Sequence, residues 1–351
     1  MKKILFIFHI VFVAGLFYAQ TPTASQNYIY SKTYLSEDGS KKSEAVQYFD
    51  GLGRLKQTVS VKSTSSGKDL VIPVFYDELG RQAKDFLPLP MATANSGIQT
   101  VSEADINSYY GVTNAFSEKV FDSSPFGKVL EVAAPGDAWK KGSGHTVQSQ
   151  YETNVSADQV KKYVITSSWA DATLSPSIPT VEWYAESQLM KNITVDEDGN
   201  KSIAFKNSQG QTVLARKMNG TTPVDTYYIY NIYDQLAYVI TPKADLQISQ
   251  NGNVVTQTIL NEFCYQYKYD NKNRLVEKYI PGKGWEYMVY DKQNRLVGTQ
   301  DPNLRLQNQW LYTKYDELGR MAFSGICNGS SRITEQALAD NYGNNNVKRT
   351  N

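Results

Sequence analysis

Histidine and cysteine are scarce in this 351-residue chain, which has two of each. That leaves little for a His/Cys metal centre or a histidine-dependent nucleophilic triad. Charge of one sign is also missing. The 36 Lys and Arg stand against 35 Asp and Glu, a net +1 with no basic block, so the electrostatic footprint of a nucleic-acid binder is absent and no such partner is expected. Beyond the first 20 residues no apolar run approaches membrane-spanning length, so no span is expected after the leader. What is abundant is tyrosine, with 25 residues beside 13 Phe and 5 Trp. At 41% hydrophobic and 20% charged residues the chain has the composition of a folded protein.

The leader runs from Lys2 and Lys3 through apolar Ile4 to Ala14 and then Gly15 to Gln20. This is the charged, apolar, small-residue order of a secretory signal peptide. Cleavage is expected after Ala19, with Gln20 as the alternative, and no Cys stands nearby to carry a lipid. Removal takes Lys2, Lys3 and His9 and no acid, leaving a nearly neutral secreted or cell-surface product whose sole histidine is His145. Export permits a Cys264–Cys327 disulfide. Cys264 also suits a small buried hydrophobe in its aromatic run, and the sequence leaves both readings open.

Self-similarity organises the rest. Five copies of one pattern recur: Phe49-Asp50-Gly51-Leu52-Gly53-Arg54, Tyr76-Asp77-Glu78-Leu79-Gly80-Arg81, Tyr269-Asp270-Asn271-Lys272-Asn273-Arg274, Tyr290-Asp291-Lys292-Gln293-Asn294-Arg295 and Tyr315-Asp316-Glu317-Leu318-Gly319-Arg320. Weaker copies stand at Phe121-Asp122 to Gly127-Lys128, at Val195-Asp196 to Gly199-Asn200, and at Tyr233-Asp234, where Ala237-Tyr238 replaces Gly-Arg. Each position has a physical role in a β-hairpin. The Asp carboxylate accepts from backbone N–H groups just ahead of it, and Gly or Asn tolerates the positive φ that closes the turn. Cys264 to Tyr269 before one turn and Leu275 to Ile280 after it are rich in strand formers at period two. Successive Asp residues lie 21 (Asp270 to Asp291), 25 (Asp291 to Asp316) and 27 (Asp50 to Asp77) positions apart, room for one hairpin each. Such a unit has to stack on its neighbours to bury its apolar face.

On these copies the chain resembles the Rhs/YD-repeat family, and the opening stretch Tyr34 to Pro90, with its Leu87-Pro88-Leu89-Pro90 close, is similar to the N-terminal portion of secreted Bacteroidetes-type Rhs-like proteins. The resemblance implies an all-β fold: an elongated or spiralling antiparallel sheet of stacked hairpins, forming part of a hollow shell around a C-terminal toxin or other effector. It also implies neighbouring shell repeats as partners. The chain departs from the family in lacking a recognisable self-cleaving core segment after Arg320. It therefore reads as the start of a longer shell, a truncated product or a short stand-alone relative.

The expected organisation is a signal peptide over 1–20, YD-type repeats over 21–95, a β-rich insertion with short helices over 96–185, YD repeats over 186–331 and a polar tail over 332–351. Within the insertion Ser102 is a candidate N-cap for a short helix, Asn114 to Val120 begins another element, and Pro135 to His145 is loop chemistry. Strands are expected over Tyr163 to Thr166 and Val181 to Tyr184, with one or two short helices overall, Glu335 to Asp340 being a candidate in the tail.

No motif of catalysis is complete. Lys140-Lys141-Gly142-Ser143-Gly144-His145 lacks the full order of a phosphate loop, and no Gly-x-Ser-x-Gly elbow occurs. Asp196-Glu197-Asp198-Gly199-Asn200 resembles the start of a calcium loop, but position twelve is Asn207 rather than Glu. Distant paired carboxylates leave a glycosidase open in principle. The recurrent Arg residues suggest either polyanion binding or local pairing and stacking on Tyr, and the neutral balance favours the latter. Trp183, Trp285 and Trp310 are candidates for stacking on sugars, or for filling the core. The expectation is a secreted, non-catalytic YD-repeat protein with no cofactor, metal or catalytic residue, forming part of a β-shell that encloses or displays an effector encoded further along or elsewhere. The alternatives are a surface adhesin or carbohydrate-binding module that contacts a surface glycan and, remotely, a secreted hydrolase.

Overall fold

The computed structural model describes residues 22–341 and Val347. The expected signal peptide and the Gly343–Asn346 stretch lie outside the described residues. The chain divides after Gln148 into two compact units. That division falls inside the 96–185 stretch read as one insertion, because its first half packs on the core of one unit and its second half on the core of the other.

The first unit holds β1 (Asn27–Tyr34), β2 (Lys42–Phe49), β3 (Leu55–Ser60), β4 (Leu70–Pro73), β5 (Lys84–Phe86), β6 (Leu89–Pro90), α1 (Glu103–Tyr110), β7 (Phe116–Phe121) and β8 (Val129–Ala133). The five strands β1-β2-β3-β4-β6 form one antiparallel sheet. Alternation decides which side chains turn inward: Val46 and Tyr48 on β2, Val59 on β3 and Val71 on β4 are fully buried. They meet Phe86, Ile106 and Phe116 in one cluster. Helix α1 starts as expected at Ser102, whose hydroxyl accepts from the Asp105 N–H while the Asp105 carboxylate accepts from the Ser102 N–H. It stops at Gly111, whose φ of 66° an L side chain rarely adopts. The element expected from Asn114 is the strand β7.

Strand β9 (Val147–Thr153) spans the division. The second unit continues with β10 (Lys161–Val164), β11 (Ser167–Ala170), β12 (Thr173–Pro176) and β13 (Thr180–Trp183). The expected strands at 163–166 and 181–184 correspond to β10 and β13, which pair with each other. Then follow β14 (Met190–Val195), β15 (Lys201–Lys206), β16 (Thr212–Asn219), β17 (Thr222–Tyr230), β18 (Leu236–Ile240), α2 (Pro242–Gln250), α3 (Gln257–Phe263), β19 (Cys264–Asp270), β20 (Leu275–Ile280), β21 (Gly284–Tyr290), β22 (Leu296–Gln300), α4 (Pro302–Leu306), β23 (Gln309–Tyr315), β24 (Met321–Asn328) and α5 (Arg332–Asn341). From β14 to β24 every strand pairs antiparallel with the next, a meander of successive hairpins. The all-β antiparallel hairpin fold expected from the repeats is the fold observed.

Five α-helices occur among the described residues, against the one or two expected. Thr241 ahead of Pro242, and Thr256, cap α2 and α3 within the stretch expected as YD repeats over 186–331. Their Ala244, Ile248 and Leu260 are fully buried with Phe205, Leu214, Tyr227 and Ile240. Helix α5 is longer than the candidate at 335–340 and joins Val289, Val297 and Trp310 through Ala339. No helix among the described residues is long and apolar enough to cross a membrane.

Candidate functional site: the turn ladder

Every strong copy of the pattern folds into the same turn. In the hairpin joining β21 and β22, Asp291 Oδ1 accepts from the Gln293 and Arg295 N–H groups, both at 2.9 Å, and Oδ2 accepts from Arg295 Nε at 2.7 Å. The Asn294 N–H donates to the Asp291 carbonyl at 3.0 Å, and Asn294 takes φ 60°. This is a tight turn followed by a left-handed residue and a one-residue register shift, seen here between Val289 and Tyr290. Asp50, Asp77, Asp270 and Asp316 repeat the arrangement with Arg54, Arg81, Arg274 and Arg320. Gly53, Gly80, Asn273 and Gly319 hold the left-handed position, at φ 77°, 74°, 61° and 78°. The backbone N–H of the arginine holds the Asp50, Asp77 and Asp316 carboxyls below their ordinary range, with the guanidinium acting in the same direction.

The Asp196 turn is a sixth copy, with Asn200 in place of arginine, and the Asp196 carboxylate is engaged in closing it. At Asp122 a longer loop keeps the bond from the Lys128 N–H at 3.0 Å. Two further copies escaped the sequence reading. Asn207 Oδ1 accepts from the Gln209 and Gln211 N–H groups, with Gly210 at φ 81°. Asn231 Oδ1 accepts from Tyr233 and Gln235 in the same way. The weak copy placed at Tyr233-Asp234 is therefore three residues out of register: Tyr230-Asn231 fills the Tyr-Asp positions, and Asp234 sits in the left-handed position at φ 60°. Reading Asn for Asp and Gln for Arg, with 24 positions from Asn207 to Asn231, would have located both.

Tyrosine and arginine link one turn to the next. The hydroxyl of Tyr290 donates to the Leu275 carbonyl at 2.8 Å, Leu275 being the residue just after Arg274. The Arg274 guanidinium lies 4.9 Å from the Tyr290 ring centre. Tyr315 repeats this on Leu296 at 2.9 Å, with Arg295 at 4.7 Å from its ring, and Tyr76 on Leu55 at 2.8 Å, with Arg54 at 4.4 Å. Tyr269 and Tyr230 bond the Leu236 and Thr212 carbonyls, each just after a glutamine that replaces the arginine. Phe121, without a hydroxyl, keeps only the stack with Arg81 at 4.5 Å. Where the left-handed residue carries an amide or acid, the preceding turn reaches it: Gln211 to Asp234, Gln235 to Asn273 and Arg274 to Asn294, at 3.1 to 3.2 Å. Burial pushes the Tyr269 phenol up to about 12 and raises those of Tyr290 and Tyr230, so all three stay protonated donors at neutral pH.

Three buried cations pair within the fold. Lys161 Nζ, 5% exposed, meets Asp245 at 2.6 Å and Ser249 at 2.7 Å, fastening β10 to α2. Arg216 binds Asp225 through two bonds of 2.8 Å. Arg332 of α5 is buried against Glu277 and Thr173. His145 lies in the 135–145 loop beside Trp139, 5.6 Å between ring centres. Among the described residues no three His, Cys, Asp or Glu side chains converge on one point. Cys264 is buried, which raises its thiol to about 12, and Cys327 is exposed; both thiols are free. Of the tryptophans offered for sugar stacking, Trp310 is wholly buried and donates to the Ser330 carbonyl, and Trp285 stacks with Tyr279 and lies under Lys268. Trp183 remains half exposed.

Residues 19–153 match DUF6443, a domain of unknown function. No curated protein matches the chain. Among solved structures, the crystal structure of TcdB2-TccC3 aligns with a TM-score of 0.50 at 12% identity, covering 83% of this chain and 13% of that one. The crystal structure of TcdB2-TccC3 without its hypervariable C-terminal region aligns with a TM-score of 0.50 at 13% identity, covering 86% of this chain and 14% of that one. This is a likeness of fold, and the chain spans about one seventh of the structures it resembles. The shared fold agrees with the all-β antiparallel fold expected from the repeats.

Proposed function

We propose that the chain is a non-catalytic, exported scaffold: a wall segment of an Rhs-like β-shell that encloses or displays an effector. The observation that carries this reading is the turn ladder. Its Asp side chains close each turn, and its Tyr side chains with Arg54, Arg274 and Arg295 hold one hairpin to the next, so residues that would otherwise supply chemistry or ligand contacts are engaged in the sheet. A wall needs that kind of cohesion, because each repeat has to bind its neighbours along the series. The effector is a polypeptide encoded further along or elsewhere, and export depends on the leader with cleavage near Ala19. One of the structures sharing the fold is of TcdB2-TccC3 without its hypervariable C-terminal region, and a variable segment beside the shared fold suits a constant wall serving varied cargo.

Limited proteolysis of the native secreted product tests enclosure. An effector that resists protease while the sheet is folded, and is digested once the sheet is melted, supports the proposal. Equal digestion in both states overturns it. Turnover of a glycoside, ester or peptide panel by the purified chain would overturn the non-catalytic part.

A further inference from the structure

A cavity of about 570 Å³ in the second unit is lined by three side-by-side sheet residues, Glu277, Tyr287 and Gln300, by Arg305 of α4 and by the 329–333 stretch that leads into α5. That volume lies in the range of small-molecule sites. Its polar groups are not all spent on the fold. Gln300, 4% exposed, donates its amide nitrogen to the Gln309 carbonyl at 2.9 Å, while its side-chain oxygen has no donor among the described residues. A buried acceptor of that kind ordinarily has one. The Tyr287 and Ser330 hydroxyls and the Asn308 amide, on the same cavity, have no hydrogen-bond partner among the described residues either. Charge is also out of balance. Arg305 donates to the Trp285 carbonyl at 2.9 Å and stands 4.7 Å from the Tyr287 ring centre, but it meets no acid among the described residues. Glu277 is shared by Arg332 at 3.1 Å and Lys268 at 3.0 Å, and Glu335 accepts from the Ser330 N–H and the Tyr312 hydroxyl. Three cations against two acids leave one positive charge over. The one described residue of the tail, Val347, bonds the Tyr315 carbonyl, at the opposite end of β23 from Asn308.

We infer that this cavity is a binding site for a small hydroxylated monocarboxylate. The ligand's carboxylate accepts from the Arg305 guanidinium, whose planar array of N–H groups matches it. Its hydroxyls donate to the Gln300 oxygen and bond with the Tyr287 and Ser330 hydroxyls and the Asn308 amide. The single surplus positive charge selects one carboxylate rather than several. The unmet oxygen of Gln300 selects a ligand that brings donors of its own, because an apolar body would leave that oxygen buried without a partner. The inference stands apart from the wall proposal, since the cavity lies within one unit and takes such a ligand whether or not the sheet encloses anything.

The test titrates the exported chain with gluconate, followed by ligand-observed NMR. Saturable binding is expected, with sorbitol, which lacks the carboxylate, and hexanoate, which lacks the hydroxyls, each binding about tenfold more weakly. Arg305→Gln is expected to weaken gluconate about tenfold by loss of a charge-assisted bond, and Tyr287→Phe, which keeps the ring beside Arg305, about fivefold. Arg320→Gln, at an exposed arginine outside the cavity, is the control and leaves binding unchanged. No saturable binding of gluconate, equal binding of the three compounds, or a loss in Arg320→Gln as large as in Arg305→Gln overturns the inference. Displacement of gluconate by inorganic phosphate at equal affinity assigns the cavity to oxyanions in general and overturns it as well. The comparison of ligands uses the unaltered chain and decides the matter where Arg305→Gln fails to fold. Any of these failures leaves the protease-protection test of the wall reading unaffected.

Discussion

Two kinds of rung build the same turn with different chemistry. At Asp291 a carboxylate with no exposed surface is matched by Arg295, whereas at Asn207 and Asn231 an amide and a glutamine occupy the same positions with no formal charge. The hydrogen-bond geometry is shared, Oδ1 to the backbone at 2.9 to 3.1 Å in every case. What differs is the cost of error. A buried ion pair is expensive to break because either partner is left charged in a poor solvent, while a neutral amide pair leaves only an unmet hydrogen bond. The repeat therefore demands an oxygen acceptor at its first position and a long donor at its fifth, and charge is one way of meeting that demand.

The largest effect that would sharpen this comparison is expected from Asp291→Ala, which strips Arg295 of its carboxylate and should cost about 3 to 4 kcal/mol in chemical denaturation. Asn231→Ala should cost only about 1 to 2 kcal/mol, since no charge is stranded. Equal losses would erase the distinction between the two classes. Converting the charged rung to the neutral one with the pair Asp291→Asn and Arg295→Gln should recover most of the loss, ending within about 1.5 kcal/mol of wild type.

The left-handed position comes next in size. Gly319→Val, at φ 78°, should lose about 1 to 2 kcal/mol, because a β-branched side chain resists positive φ. Gly319→Asn should be nearly neutral, as Asn273 and Asn294 already hold that conformation. Glu317→Ala at the same turn should change the melting temperature little. For Gly80→Val the added Cβ also comes within 3.1 Å of Arg54, so this variant should be the worse of the two valine substitutions.

Tyr290→Phe should cost about 1 kcal/mol by leaving the Leu275 carbonyl without its hydroxyl. The Phe121 position offers the internal control, as it stacks under Arg81 with no hydroxyl to lose.

Acid provides the smallest and most selective probe. The carboxyls of Asp50, Asp77 and Asp316 lie below their ordinary range in the fold, so their contribution is fully present above the unfolded value near 4 and fades as pH falls through the folded one. Hydrogen exchange between about pH 4 and pH 2 should therefore show those turns opening before the Asn207 and Asn231 turns, whose first-position acceptors are amides that do not titrate. Simultaneous opening would show that the carboxylates contribute nothing local.

The sequence by itself determined the turns, the strands that flank them and the family resemblance. Asp, Gly or Asn, and Arg act within six residues of one another, and local hydrogen bonding is written in local order. Even there charge proved a misleading guide: Asp234 drew the register onto the wrong residue, because Asn231, three positions earlier, does the work of the aspartate, while Asp234 takes the left-handed position and accepts from Gln211. Helices α2 and α3 were marked by Thr241, Pro242 and Thr256, but their apolar residues fit a strand equally well until Phe205 and Tyr227 are placed opposite them. Only the tertiary structure decided which tyrosine meets which arginine, that Trp310 fills a core, and that Lys161 and Arg332 are buried beside Asp245 and Glu277. The Lys161 and Arg332 pairs join residues 84 and 55 positions apart, and nothing in the spacing of a repeat fixes what packs across its face.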